Sequence, residues 1–201
     1  MAPETAAANP TLVILAGPNG AGKTTLAPFL LRDAAGVREY VNADEIAKGL
    51  GGFSTETTAF AAGRLMLARM RELAAARQTF AFETTLATRS YARWLSDRKR
   101  EGYVVGLVFL SLPSPDMAVE RVRRRVGEGG HDVPEAIIRR RFVRGLVNLM
   151  NEYVALADKW WIYDGLDRVP RLVARRLPDE NASIIDTEYW GMLKGLVTHG
   201  R

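Results

Sequence analysis

Short apolar runs alternate along this chain with longer stretches of helical period. Residues 11–16 are nearly all apolar and rich in β-formers (Leu12, Val13, Ile14, Leu15), which predicts a buried strand. A first helix is expected over 24–32, broken at Gly36, and a short second strand over 39–42. Ser54 and Thr55 ahead of Glu56 and Thr57 read as a helix entry. The helix that follows, over 58–77, carries Phe60, Leu65, Leu67, Met70, Leu73 and Ala74 among many alanines. A third, aromatic-rich strand is expected over 79–84. An amphipathic helix over 90–101 follows, with Gly102 in the C-cap position. The unbroken apolar run 104–110 fits a strand buried on both faces. A very basic helix over 116–126, a glycine-rich lid-like loop over 126–134 and one long helix over 135–157 come next. The chain closes with a fifth strand at 159–164, an edge strand or hairpin over 168–177 and a terminal helix over 187–198. This alternation predicts an α/β fold: a mostly parallel five- or six-stranded sheet with helices on both faces.

Between the first strand and the first helix lies Gly17-Pro18-Asn19-Gly20-Ala21-Gly22-Lys23-Thr24, a full G-x-x-x-x-G-K-[ST] match in the flanking context its mechanism requires. Successive backbone N–H groups of such a turn form an anion cradle, and the following helix adds its positive end. Lys23 can reach the β- and γ-phosphates, the Thr24 hydroxyl can ligate Mg²⁺, and Thr25 sits beside them. The fold class thereby narrows to a P-loop NTPase three-layer sandwich, with ATP and Mg²⁺ as the expected cofactors.

In such a sheet ligands bind outside the carboxyl ends of the strands. Three strand ends deliver polar groups there: the P-loop, then Asn42 and Asp44, then Glu83, Thr84 and Thr85. Asp44 is either a general base beside the γ-phosphate or the cap of a helix beginning at Glu45. Glu83 ends an aromatic run, so its carboxylate calls for a partner: the Mg²⁺ shell or a substrate hydroxyl. On the basic helix, Arg121, Arg124 and Arg125 share a face and Arg123 points elsewhere. An arginine on that face can stabilise a transferring phosphoryl group. His131, in the glycine-rich loop, is a candidate phosphate donor or an ordinary loop histidine.

At 201 residues, 47% hydrophobic and 25% charged, the chain is long enough to bury its own core. The expected organisation is a flexible leader over 1–10 and one kinase domain over 11–201, with a helical substrate cap at about 54–77. With no cysteine there is no disulfide framework or thiolate site. No apolar run approaches the roughly 20 residues of a membrane span, and the leader lacks secretory features, so a cytoplasmic protein is expected. The net charge of +5 raises the question of nucleic acid. Stacking aromatics do not interleave with the arginines, however, and a polyphosphate accounts for the same charge.

The ordered set of motifs resembles the zeta toxin family of P-loop kinases, in particular its small stand-alone bacterial members. The matching pieces are 12–25, Val41-Asn42-Ala43-Asp44, Phe82-Glu83-Thr84-Thr85-Leu86, Gly102-Tyr103, Glu120-Arg121-Val122, Arg124-Arg125-Val126, 129–135 and 161–164. The resemblance implies ATP-dependent phosphorylation of the amino-sugar hydroxyl of UDP-N-acetylglucosamine. It makes Lys23 and Thr24 the phosphate and Mg²⁺ residues, Asp44 the base, Glu83 a substrate or metal-shell residue and Arg121 a phosphate-binding arginine. A second phosphate-clamping arginine of that family aligns with His131 or with one of Arg139, Arg140 and Arg141. The acceptor is expected between the second and third strand ends, against Asn42, Asp44, Glu83, Thr84 and Thr85. An antitoxin that blocks the ATP site is the implied protein partner. The competing readings are a P-loop ATPase switch, for which no hydrophobic strand ending in Asp-Glu is found, and a polynucleotide 5′-kinase.

Overall fold

The computed structural model describes residues 9–33, 37–50, 56–130 and 132–199. At its centre is β1 (Thr11–Ala16), buried from Leu12 to Ala16, which explains its unbroken apolar sequence. It lies between β3 (Phe80–Thr84) and β4 (Val104–Ser111), parallel to both. β2 (Glu39–Val41) pairs with β3, and β5 (Lys159–Asp164) with β4, again in parallel. β6 (Arg171–Arg176) and β7 (Ser183–Ile184) form an antiparallel edge, giving the order β2-β3-β1-β4-β5-β6-β7. The seven-stranded sheet, with helices on both sides, is a P-loop NTPase-like α/β fold. Its seventh strand has two residues, too few to leave a periodic trace in the sequence.

Strand order reverses at β1, since the chain places β3 on one side of it and β4 on the other. Such a switch point opens a crevice beyond the carboxyl ends of the strands. Gly17 begins the turn that lines it, at φ +147°, where a Cβ would lie 2.2 Å from the Leu110 carbonyl oxygen. Only glycine lets the loop pass this close to β4.

The loop feeds α1 (Lys23–Ala27), which continues as a wider π-helical turn over Pro28–Asp33. α2 (Ala43–Leu50) starts one residue after β2 and two residues ahead of the helix start at Glu45 that the capping reading of Asp44 requires. α3 (Glu56–Ala75) packs on α2 and β2. Its buried residues are Ala62, Met66, Met70, Leu73 and Ala74, whereas Phe60, Leu65 and Leu67, counted in the expected helical pattern, are exposed. Alanines on every side of this helix blur the periodic signal, so the stripe that packs is narrower than the apolar composition suggests. α4 (Ser90–Arg100) is followed by Gly102 at φ +89°, as the sequence predicts. α5 (Pro115–Gly127) begins at Ser114, whose hydroxyl accepts from the Met117 N–H at 3.2 Å.

The single helix expected over 135–157 is divided. α6 (Glu135–Asn148) passes into a π-helical turn over Leu149–Tyr153 and then into α7 (Val154–Leu156). The wider turn rotates the helix so that Leu149 and Tyr153 are both fully buried. That segment also holds the loop after β3. Asn148 Nδ2 donates to Leu86 O at 2.7 Å and the Tyr153 hydroxyl to Thr88 O at 3.0 Å. Gly145 lets α6 approach so near that a Cβ there would lie 2.3 Å from Thr85 O. α8 (Thr187–His199) closes the chain against α6 and β6. Gly36, Ser54, Thr55, His131 and residues 1–8 of the expected leader lie outside the described residues.

Candidate active site

The ends of β1, β2 and β3 are neighbours, and their polar residues converge as expected. In register, Leu15 stands beside Glu83 and Val41 beside Phe82, which sets Asn42 level with Glu83. A cleft of about 510 Å³ opens above them, within the range of small-molecule sites. The P-loop lines it with Asn19, Lys23, Thr24 and Thr25, and the ends of the neighbouring strands with Asp44, Glu83, Thr84 and Thr85. Arg121, Arg124, Arg125 and Arg141 add the positive charge.

Lys23 is buried and lies back on the loop, donating to Gly17 O at 2.9 Å and Pro18 O at 3.0 Å. Its ammonium is 3.6 Å from Glu83 Oε1. Burial lowers its pKa from the ordinary lysine value, and the carboxylates of Glu83 and Asp44 oppose that shift.

Glu83 has its other oxygen fully engaged. Oε2 accepts from Asn42 Nδ2 at 2.9 Å, from Thr24 Oγ1 at 3.3 Å and from the Tyr40 hydroxyl. Burial first, and then the adjacent Glu83 carboxylate, hold the Tyr40 phenol protonated well above its usual range. Thr24 and Glu83 thus supply hard oxygen donors at the mouth of the cradle. Among the described residues no cluster of three or more His, Cys, Asp or Glu side chains builds an all-protein metal cage. One or two protein oxygens plus phosphate and water is the donor set Mg²⁺ takes in such sites, so these residues fit it.

The structure separates the two roles weighed for Asp44. Helix α2 starts at Ala43, and its cap is Asn42, whose Oδ1 accepts from the N–H groups of Asp44 (2.8 Å) and Glu45 (3.4 Å). Asp44 therefore stands in the first turn with its carboxylate exposed to the cleft, and among the described residues no side chain hydrogen-bonds to it. Asn42, expected on the substrate, lines the cleft but engages both ends of its amide with its neighbours.

Arg121 lines the cleft while its guanidinium bridges backbone carbonyls: Gly165 O at 2.8 Å, Gly20 O at 3.4 Å and Leu166 O. Arg123 points away, as the helical spacing predicts, and pairs with Glu135 at 2.6 Å. Arg139 is held outside the cleft by Asp116 (2.6 Å) and Glu135 (2.8 Å). Arg141 instead faces the site from α6. Burial lowers its pKa, and the Asp44 carboxylate opposes that shift.

The sequence reading missed Tyr40, Met66, Thr88 and Tyr91, all of which line or support the cleft. Tyr40 had a usable signal: it precedes Asn42 by two residues on a strand, so both point to one face. Met66 and Tyr91 had none, because they come from helices that only the fold brings to the strand ends. Tyr91 packs on Phe82 with ring centroids 5.0 Å apart.

Known proteins resemble this arrangement. An uncharacterized protein of Haemophilus influenzae is 27% identical over 130 residues, covering 65% of this chain and 91% of that protein. The solved structure of AvrRxo1-ORF1:-ORF2 with ATP matches with a TM-score of 0.74 at 20% identity, over 93% of this chain and 64% of that one. This chain thus spans less than two thirds of the length of that protein. The PezAT chromosomal toxin–antitoxin system of Streptococcus pneumoniae matches at 0.61 and 18% identity, over 100% of this chain and 91% of that chain. At such identities the likeness lies in the fold. A family model described as an AAA domain matches residues 12–142, more than half of the 201 residues, and the chain therefore belongs to the AAA domain family.

Proposed function

We propose that this chain is a zeta toxin-like phosphotransferase that moves the γ-phosphate of ATP to a hydroxyl of a nucleotide sugar, with UDP-N-acetylglucosamine as the leading acceptor. One observation carries the reading. Asn42 takes over the helix cap and leaves the Asp44 carboxylate open in the same cleft as the P-loop. In a kinase such a carboxylate accepts the proton of the attacking hydroxyl; in a switch ATPase it would act on water, and that reading lacks the hydrophobic strand ending in Asp-Glu.

In this mechanism the P-loop amides and Lys23 bind the β- and γ-phosphates, and Lys23 exchanges its bonds to Gly17 O and Pro18 O for phosphate oxygens. Mg²⁺, held by Thr24 with Glu83 beside it, would neutralise charge on the β- and γ-phosphate oxygens. Asp44 takes the proton as the acceptor oxygen bonds to the γ-phosphorus. The bond from that phosphorus to the bridging oxygen breaks, and ADP leaves. Arg141, with Arg124 and Arg125, faces the charge that spreads over the transferring group. The wall of Thr84, Thr85 and Thr88 offers hydroxyls to a sugar, and Tyr91 with Met66 offers an apolar face. Among the described residues no helix is long and apolar enough to cross a membrane, and a cytoplasmic site of action is the proposal. An inhibitory protein covering the cleft is the partner this reading implies.

The test is to incubate the protein with ATP, Mg²⁺ and a panel of UDP-sugars and to follow product mass. Wild type should add one phosphate to UDP-N-acetylglucosamine. Asp44→Asn should lose roughly 10²–10⁴-fold in kcat, the usual contribution of a general base, with ATP affinity nearly unchanged. No phosphorylated sugar, with wild type and Asp44→Asn alike, refutes the proposal.

A further inference from the structure

We infer that Asn42 is the positioning residue that locks the two carboxylates of the cleft, Asp44 and Glu83, into one geometry, with Tyr40 as a second hold on Glu83. The inference rests on the phosphotransfer reading above and adds to it residues that act through others.

The side-chain amide of Asn42 is planar and has two different ends. Its Oδ1 accepts from the Asp44 N–H at 2.8 Å, which fixes the first turn of α2 and the direction in which Asp44 leaves it. Its Nδ2 donates to Glu83 Oε2 at 2.9 Å. Only this orientation satisfies both neighbours, because N–H groups need an acceptor and a carboxylate needs a donor. One rigid group therefore sets the separation between the backbone of Asp44 and the carboxylate of Glu83. Asn42 is 5% exposed, so its two bonds are shielded from bulk water.

Tyr40 completes the hold. Its hydroxyl donates to the same Glu83 oxygen and accepts from Asn42 Nδ2 at 3.3 Å. The result explains the residue choice at position 42. Serine and aspartate cap a helix as well as asparagine does, and threonine somewhat less well. None of them can also donate to a carboxylate from the far end of the same side chain.

Asn42→Ser keeps an oxygen for the cap and removes the separate donor at the far end of the side chain; Tyr40→Phe leaves the cap untouched and removes the second donor to Glu83. The experiment measures phosphotransfer kinetics, melting temperature and Mg²⁺-dependent binding of a fluorescent ATP analogue without acceptor. Asn42→Ser should lower kcat tenfold or more, leave the KM for ATP within threefold, and raise the half-saturating Mg²⁺ concentration in the binding assay at least threefold. Tyr40→Phe should move the same quantities in the same direction by about threefold, and decides the matter if Asn42→Ser does not fold. The inference is overturned if both variants keep kcat and Mg²⁺ half-saturation within twofold of wild type while Asp44→Asn is inactive. In that case the phosphotransfer reading stands. If wild type transfers no phosphate, that reading falls, and the Mg²⁺ titration still decides whether Asn42 and Tyr40 set the position of Glu83.

Discussion

Replacing Gly17 by alanine tests the P-loop at the point where it is most constrained. A Cβ at this position would lie 2.2 Å from Leu110 O and 3.2 Å from the carbon behind it, both backbone atoms of a buried strand. Neither can rotate aside, so the loop itself must move by about an ångström. Overpacking of this kind costs about 1–3 kcal/mol. The backbone at φ +147° adds about 1–3 kcal/mol for any side chain. The sum, about 2–6 kcal/mol, corresponds to a melting temperature lowered by roughly 5–20 °C for a protein of this size. Nucleotide affinity should fall along with it, because the displaced backbone carries the cradle amides. The matched control is Gly63→Ala. Gly63 lies within α3 with nothing inside 4 Å of its Cβ position, and alanine there should stabilise by about 0.5–1 kcal/mol. Thermal melts and ATP-analogue binding on the two variants are the assay. Gly17→Ala melting within 2 °C of wild type with unchanged affinity would refute the steric argument.

Arg121 joins the P-loop to the turn after β5 through the carbonyls of Gly20, Gly165 and Leu166. Arg121→Lys should therefore behave like Arg121→Ala, each lowering the melting temperature by several degrees, since a single ammonium cannot replace the planar fork. Full rescue by lysine in a thermal melt would count against the bridge. Stability should also fall in alkali. Burial raises the Tyr153 hydroxyl from its ordinary value near 10 to about 12. The unfolded chain therefore loses this proton first, and stability present below pH 10 is lost as pH climbs toward 12. Urea midpoints across that window should decline less steeply for Tyr153→Phe; an unchanged slope would remove Tyr153 as a cause.

Much of the site was legible because its chemistry is local. The P-loop is one contiguous motif, and the ends of the short strands announced Asn42, Asp44 and Glu83 through position alone. The helical period correctly separated Arg123 from Arg121, Arg124 and Arg125. Composition hid geometry elsewhere. Phe60, Leu65 and Leu67 belong to the apolar pattern that marks the helix, yet they are exposed, because α3 meets its neighbours through a narrower stripe. The wide turn at 149–153 has no periodic signature, yet it rotates Tyr153 onto the loop that walls the cleft.

Backbone hydrogen bonding and the period of apolar residues act over a few neighbours. They are enough to specify a parallel α/β sheet and the phosphate cradle from the sequence. Which carboxylate is uncommitted is a different kind of fact. It depends on Asn42 reaching both Asp44 N–H and Glu83, residues two and 41 positions away. The same holds for Arg141, which α6 brings to a cleft formed by strands far earlier in the chain. Hydrogen bonds between distant segments exist only once the sheet has set their register, so the assignment of roles within the cleft required the folded molecule.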